Sequence, residues 1–170
     1  MSSYKPAVIL IGMPGVGKST LGRLLSQRLK QPFVDTDTLV ESAAGCSLQA
    51  IVDRGGFEAL VHWEETAIVS QAFSAQVVAT GGSVVYSEAA MDHLGRFGLR
   101  VWLRLSIDAL QLRLGNFAQR GIARRQRNAD LQAIFDERYP LYQKYADRVV
   151  DIDGMDEAAA LGRLISLLQQ

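Results

Sequence analysis

The residues best suited to chemistry come early. In "IGMPGVGKST" (Ile11 to Thr20), Gly12, Gly17, Lys18 and Ser19 fit the spacing G-x-x-x-x-G-K-[ST]. Glycines at positions 15 and 17 let successive backbone N–H groups turn inward, at a helix N-terminus whose partial positive charge favours an anion. Lys18 would reach the β and γ phosphates of a nucleotide, and the Ser19 hydroxyl would take a place on Mg2+. The plain alternative is a tight strand-to-helix turn, but Lys-Ser directly after the last glycine has no structural rationale there. Gly12, Gly15, Val16, Gly17, Lys18, Ser19 and Thr20 are therefore the expected phosphate set, with ATP and Mg2+ as the expected ligands.

A second group of candidates is acidic or glycine-rich. Asp35 and Asp37 close the apolar stretch "PFVDTD" (Pro32 to Asp37). Read as a strand end, this stretch points both carboxylates to one side, at the edge where open α/β sheets bind ligands. One could hold the water shell of Mg2+ and the other could accept a hydroxyl proton; helix capping is an equally good reading of either alone. "ATGGS" (Ala79 to Ser83) places two glycines where a ligand could approach the backbone, or where the chain only turns. Moving a phosphoryl group requires fixed positive charge, and Arg113, Arg120, Arg124, Arg125, Arg127 and Arg138 are the candidates. His62, Trp63 and Trp102 read as packing residues and Cys46 as inert.

These residues need elements to position them. "AVILI" (Ala7 to Ile11) is the apolar, β-branched run of a strand covered on both faces. Further strands are expected at 32–37, 76–82, 100–105 and 148–153. Helices are expected after the glycine loop and around 58–73, 107–114, 130–145 and 157–168. The alternation implies an α/β fold, a parallel sheet with helices on both faces. The polar, arginine-rich "GNFAQRGIARRQRNAD" (Gly115 to Asp130) does not fit the alternation and is either a solvated face or a lid.

Composition narrows the partners. A chain of 170 residues, 48% apolar, suits one domain with one sizeable core. The 18 basic and 18 acidic side chains balance, which argues against nucleic acid and for a small-molecule acceptor. No apolar run is long enough for a membrane span, and a single cysteine fits a reducing, cytoplasmic setting. A monomer is expected.

Taken together, "GMPGVGKST" followed by "LGRLL", "DTD", "ATGG", "RLGNFAQR" and "ERYPLY" resemble the shikimate kinase family over nearly the whole chain. "ERYPLY" is the most family-specific of them. The resemblance implies a three-layer P-loop kinase fold with a five-stranded parallel sheet in the order 2-3-1-4-5. It also implies a substrate-binding segment at 36–62 and a lid at 115–128 within one domain, 1–170. The implied reaction uses ATP and Mg2+ to phosphorylate the 3-hydroxyl of shikimate, a step of aromatic amino acid biosynthesis. By the same resemblance Lys18, Asp37 and Arg120 are catalytic, and Ser19 and Asp35 serve the metal. Arg113 would flank the adenine, and Asp37, Gly81, Gly82 and Arg138 would hold the acceptor, Arg138 by its carboxylate.

Three departures stand against this pattern. Counting back from Glu64 and Glu65, Val61 falls where the family has a second carboxylate-binding arginine. The third glycine of the family's triplet is Ser83, and the lid reads "RGIA" (Arg120 to Ala123). A charge-assisted hydrogen bond contributes about 1.5 to 3 kcal/mol, so one lost arginine corresponds to roughly ten- to a hundred-fold in affinity. Three readings stay open: shikimate binds weakly through Arg138 alone, His62 or Ser83 compensates, or the acceptor is a different one, such as a sugar acid, polyol or hydroxy amino acid. A catalytically silent nucleotide-binding regulator is the alternative of a different class.

Overall fold

The computed structural model describes residues 6–115, 122–126 and 128–170. Strands β1 (Ala7–Ile11), β2 (Phe33–Asp35), β3 (Val77–Ala79), β4 (Gly98–Arg104) and β5 (Arg148–Asp151) form one sheet. Its order is β2-β3-β1-β4-β5 and every pairing is parallel. β1 lies in the middle and is buried along its whole length, as its unbroken apolar run requires. The winding reverses beside β1, so the loops leaving the carboxyl ends of β1, β2 and β3 meet there.

Among the described residues the helices are α1 (Lys18–Leu29), α2 (Thr36–Ala44), α3 (Leu48–Val69), α4 (Glu88–Phe97), α5 (Ile107–Leu114), α6 (Leu131–Tyr145) and α7 (Glu157–Leu168). The bounds of α5 and α7 are those expected from periodicity, and Asp130 caps α6 by accepting from the Ala133 N–H at 2.8 Å. β2 is shorter than expected. It ends at Asp35, whose carboxylate accepts from the Asp37 N–H at 3.0 Å, and the chain turns into α2 at Thr36. α3 begins ten residues before the expected 58, capped by Ser47, and Gly56 breaks its helical geometry at φ 73°, ψ −168°. Two adjacent glycines, Gly55 and Gly56, dilute the periodicity that would have revealed its first half.

There are two apolar clusters. The larger packs both faces of the sheet and includes Ile9, Leu10, Val78, Val101 and Leu103. Trp102 belongs to it, edge-on to Tyr139 at 4.8 Å and stacked with Tyr142 at 5.9 Å. The smaller joins α2 to α3 through Val40, Ile51, Leu60 and Ala67, with Trp63 and Cys46 packed at its border. Each fully buried large apolar side chain contributes about 1.5 to 3 kcal/mol, so Val40, Ile51 and Leu60 supply most of what keeps α2 and α3 together.

Candidate active site

The glycine loop joins β1 to α1. Gly17 caps α1 in the left-handed region (φ 100°) without a side-chain acceptor, which leaves the first-turn N–H groups open to an anion. Gly15 (φ 81°) admits no side chain, since a Cβ would lie 2.5 Å from Leu114 Cδ2 of α5. Lys18 is buried, and its Nζ donates to the carbonyls of Gly12 at 2.7 Å and Met13 at 2.9 Å. Burial lowers its pKa to about 8; Asp37 and Asp35 oppose the shift and Arg138 adds to it.

Ser19 Oγ donates to Asp35 Oδ2 at 2.8 Å. This joins the loop to the end of β2 and presents two oxygen donors of the kind Mg2+ prefers. Among the described residues no cluster of three or more His, Cys, Asp or Glu could cage an ion. A magnesium ion held by a hydroxyl, a carboxylate-bound water and phosphates fits that donor set. Asp35 thus caps α2, one of the readings left open from the sequence, while its other oxygen accepts from Ser19. Asp37 does not sit on the strand beside it, as expected, but in the first turn of α2, because capping ended the strand two residues earlier. Burial and the charge of Asp35 raise its pKa to about 6, against the opposing charge of Lys18.

Two cavities flank Asp37. One, of about 410 Å3, runs along Lys18, Ser19, Thr20 and Thr80. The other, of about 280 Å3, is bounded by Glu64, Ser83, Arg138 and the apolar Leu48, Val52, Leu60 and Ile122. Asp37, Pro14, Gly81 and Gly82 line both. Gly81 is pinned by its N–H to Thr36 Oγ1 at 2.9 Å. A Cβ on it would meet Glu64 Oε1 at 2.7 Å and Asp37 Oδ1 at 2.8 Å, so only glycine lets both carboxyl groups come this close.

Arg138 is 1% exposed. Its Nη2 donates to the Ala123 carbonyl at 2.6 Å, its Nε to Tyr86 Oη at 3.3 Å, and its guanidinium lies 5.2 Å from the Tyr86 ring. Among the described residues no carboxylate lies within ion-pair distance of it. A buried, unpaired guanidinium on a cavity wall is a receptor for an anion. A third cavity, of about 460 Å3, lies behind the loop between Gly15, Thr20, Arg113 and the start of α7. Arg113 donates to the Val16 carbonyl at 3.1 Å on its edge.

The sequence-derived set gathers around the sheet's carboxyl edge, with exceptions: Arg124 donates to the Ala129 carbonyl at 2.9 Å and Arg125 lies beside Glu58 and Glu137, and neither lines the cavities described above. Arg120 lies outside the described residues, as does Arg127. Val61 does not line the acceptor-side cavity: beyond the break at Gly56, Leu60 and Glu64 are the α3 residues that do, and Val61 is one step further round the helix. His62 is exposed and faces away from the cavity lining. The residue missed from the sequence is Glu64, 1% exposed, with Ser83 Oγ donating to its two oxygens at 2.7 and 2.9 Å. Burial raises its pKa to about 7, against the Ser83 hydrogen bond. The signal was available: Glu64 interrupts the buried stripe Phe57, Leu60, Ala67, Ile68.

A lysine-bearing glycine loop beside a paired hydroxyl and carboxylate, on a parallel 2-3-1-4-5 sheet with an anion-receiving cavity next to it, defines a P-loop phosphotransferase with an alcohol acceptor. The shikimate kinase family model matches residues 14–169, and the chain belongs to that family. Relatives include a shikimate kinase of Moorella thermoacetica, 36% identical, covering 93% of this chain and 91% of the relative. Another is a shikimate kinase of Ruegeria pomeroyi, 35% identical, covering 86% of this chain and 76% of the relative. Among solved structures, a shikimate kinase from Acinetobacter baumannii in complex with shikimate superposes with a TM-score of 0.83 at 23% identity, covering 96% of this chain and 93% of that one. No helix among the described residues is long and apolar enough to cross a membrane.

Proposed function

We propose that the protein transfers the γ-phosphoryl group of ATP to the 3-hydroxyl of shikimate. The observation that carries this is the buried Arg138, without an ion-pair partner among the described residues, on a cavity also lined by Asp37, which borders the phosphate loop as well. Arg138 would hold the acceptor's carboxylate and Asp37 would orient its hydroxyl and take the proton. Lys18 and the N–H groups of the glycine loop would hold the nucleotide's phosphates, with Ser19 and Asp35 toward Mg2+. MgATP, when bound, supplies the phosphoryl group and the metal's charge. Arg113 would border the adenine on the third cavity.

On the resemblance alone we also assign residues 36–62 to acceptor binding and 115–128, with Arg120, to covering the site, all within one domain. The single cysteine, Cys46, supports a cytoplasmic setting. The test is a coupled assay of purified protein with MgATP and millimolar shikimate. ADP release that depends on shikimate is expected. None above background, with turnover of another hydroxylated acid, would transfer the assignment to that acid.

A further inference from the structure

The acceptor-side cavity has an electrostatic imbalance. Its lining carries one guanidinium, Arg138, and two carboxyl groups, Asp37 and Glu64, both turned toward Gly81. An acidic acceptor adds a third negative group to the same small volume. In a low-dielectric site, like charges a few ångströms apart cannot all remain ionised. Where the family places a second arginine this chain has Val61, so a proton is the simplest remaining source of positive charge.

Glu64 is the group placed to carry it. It faces Asp37 from α2, Arg138 and Tyr142 from α6, and Ser83 from the loop after β3. Asp37 has Lys18 and Asp35 as further neighbours and opens to both cavities, whereas Glu64 borders the acceptor-side cavity and not the phosphate-side one, and is hydrogen-bonded to Ser83. A protonated Glu64 retains its hydrogen bonding with Ser83 and offers an O–H donor to the acceptor; an ionised one offers only repulsion.

We propose that Glu64, held in place by Ser83, determines acceptor affinity by binding the acidic acceptor in its protonated form, in place of the absent arginine. This rests on the shikimate reading above. Its consequence is an acceptor affinity that declines with pH while nucleotide affinity does not. With the carboxyl group half-protonated near pH 7 in the free protein, the competent fraction falls about tenfold between about pH 6 and about pH 8.

The experiment is steady-state kinetics with MgATP and shikimate at several pH values between about 5.5 and 8.5, on the unaltered protein, Glu64→Gln and Ser83→Ala. The unaltered protein should show shikimate KM rising about tenfold across the upper half of that range, with KM for ATP changing less than about twofold. Glu64→Gln, permanently neutral, should lose the rise. Ser83→Ala removes a hydrogen bond that favours the ionised carboxylate, so the rise should move to higher pH. Turnover with a shikimate KM that is flat with pH, or a rise that survives in Glu64→Gln, would overturn this proposal alone. If Glu64→Gln does not fold, a rise that stays at the same pH in Ser83→Ala overturns it instead. Absence of shikimate turnover at every pH would overturn the substrate reading, and this proposal with it.

Discussion

The burial of Glu64 makes a prediction about folding that does not depend on any substrate. Its pKa is raised from the ordinary 4.5 to about 7, chiefly by burial. The unfolded chain therefore releases this proton first as pH rises. Stability associated with Glu64 is fully present below about pH 4.5, falls as pH rises toward about 7, and is level above that. Integrated between about pH 5 and about pH 8, the loss is on the order of 2 to 3 kcal/mol, a substantial part of the net stability of a domain of this size. Glu64→Gln keeps the shape and still accepts from Ser83 Oγ, but has no proton to lose. Relative to the unaltered protein, the variant should thus gain on the order of 2 to 3 kcal/mol over that interval, whatever its offset at low pH. Urea unfolding followed by the emission of the buried Trp102 at each pH measures the difference directly. Subtracting the two proteins removes the contributions of the other titrating groups. A stability difference that is the same at both ends would refute the reasoning, since it would mean that the carboxyl group is solvated well enough to titrate normally.

Three other substitutions test separate parts of the site. Gly81→Ala puts a methyl group 2.7 and 2.8 Å from two carboxyl oxygens, so shikimate KM should rise about tenfold or more while nucleotide affinity, measured by calorimetry, holds within about twofold. Arg138→Met removes the cation of the cavity and leaves the Ala123 carbonyl without its donor; acceptor KM should rise roughly ten- to a hundred-fold in the coupled assay, with a lower Tm in a thermal melt. Val61→Arg sets a guanidinium one turn from Glu64 on the same helix, and shikimate KM should fall about tenfold. An unchanged KM in that variant would show that position 61 does not set acceptor affinity.

How much could be read without coordinates followed from how local each feature is. The phosphate loop was fully legible, because its residues are contiguous and its geometry is made by the glycines themselves. The five strands and their order were legible from apolar runs and the family's motifs. Asp37 was legible as a residue of the sheet's carboxyl edge but not in its seat: competition between continuing β2 and capping α2 was decided by the Asp35 carboxylate reaching the Asp37 N–H. Glu64 was passed over because an acid within an apolar stripe looks like a helix-face irregularity until Ser83, nineteen residues on, is brought to it. Val61 shows the converse. Counting residues located the missing arginine, but on a helix a single residue is a rotation of about 100°, and it is Leu60 and Glu64 that border the cavity.

The separate cluster of Val40, Ile51, Leu60 and Ala67 bears on how such a chain can diverge. Substitutions more than about 7 to 10 Å apart with no shared partners add independently. Changes that reshape the acceptor wall from α2 and α3 therefore draw on the stability of their own four-residue cluster and leave the nucleotide half unburdened. Acceptor preference can drift in this architecture while the phosphate loop stays constant, and a chain with a valine and a serine where the family pattern has an arginine and a glycine is what such drift would leave behind.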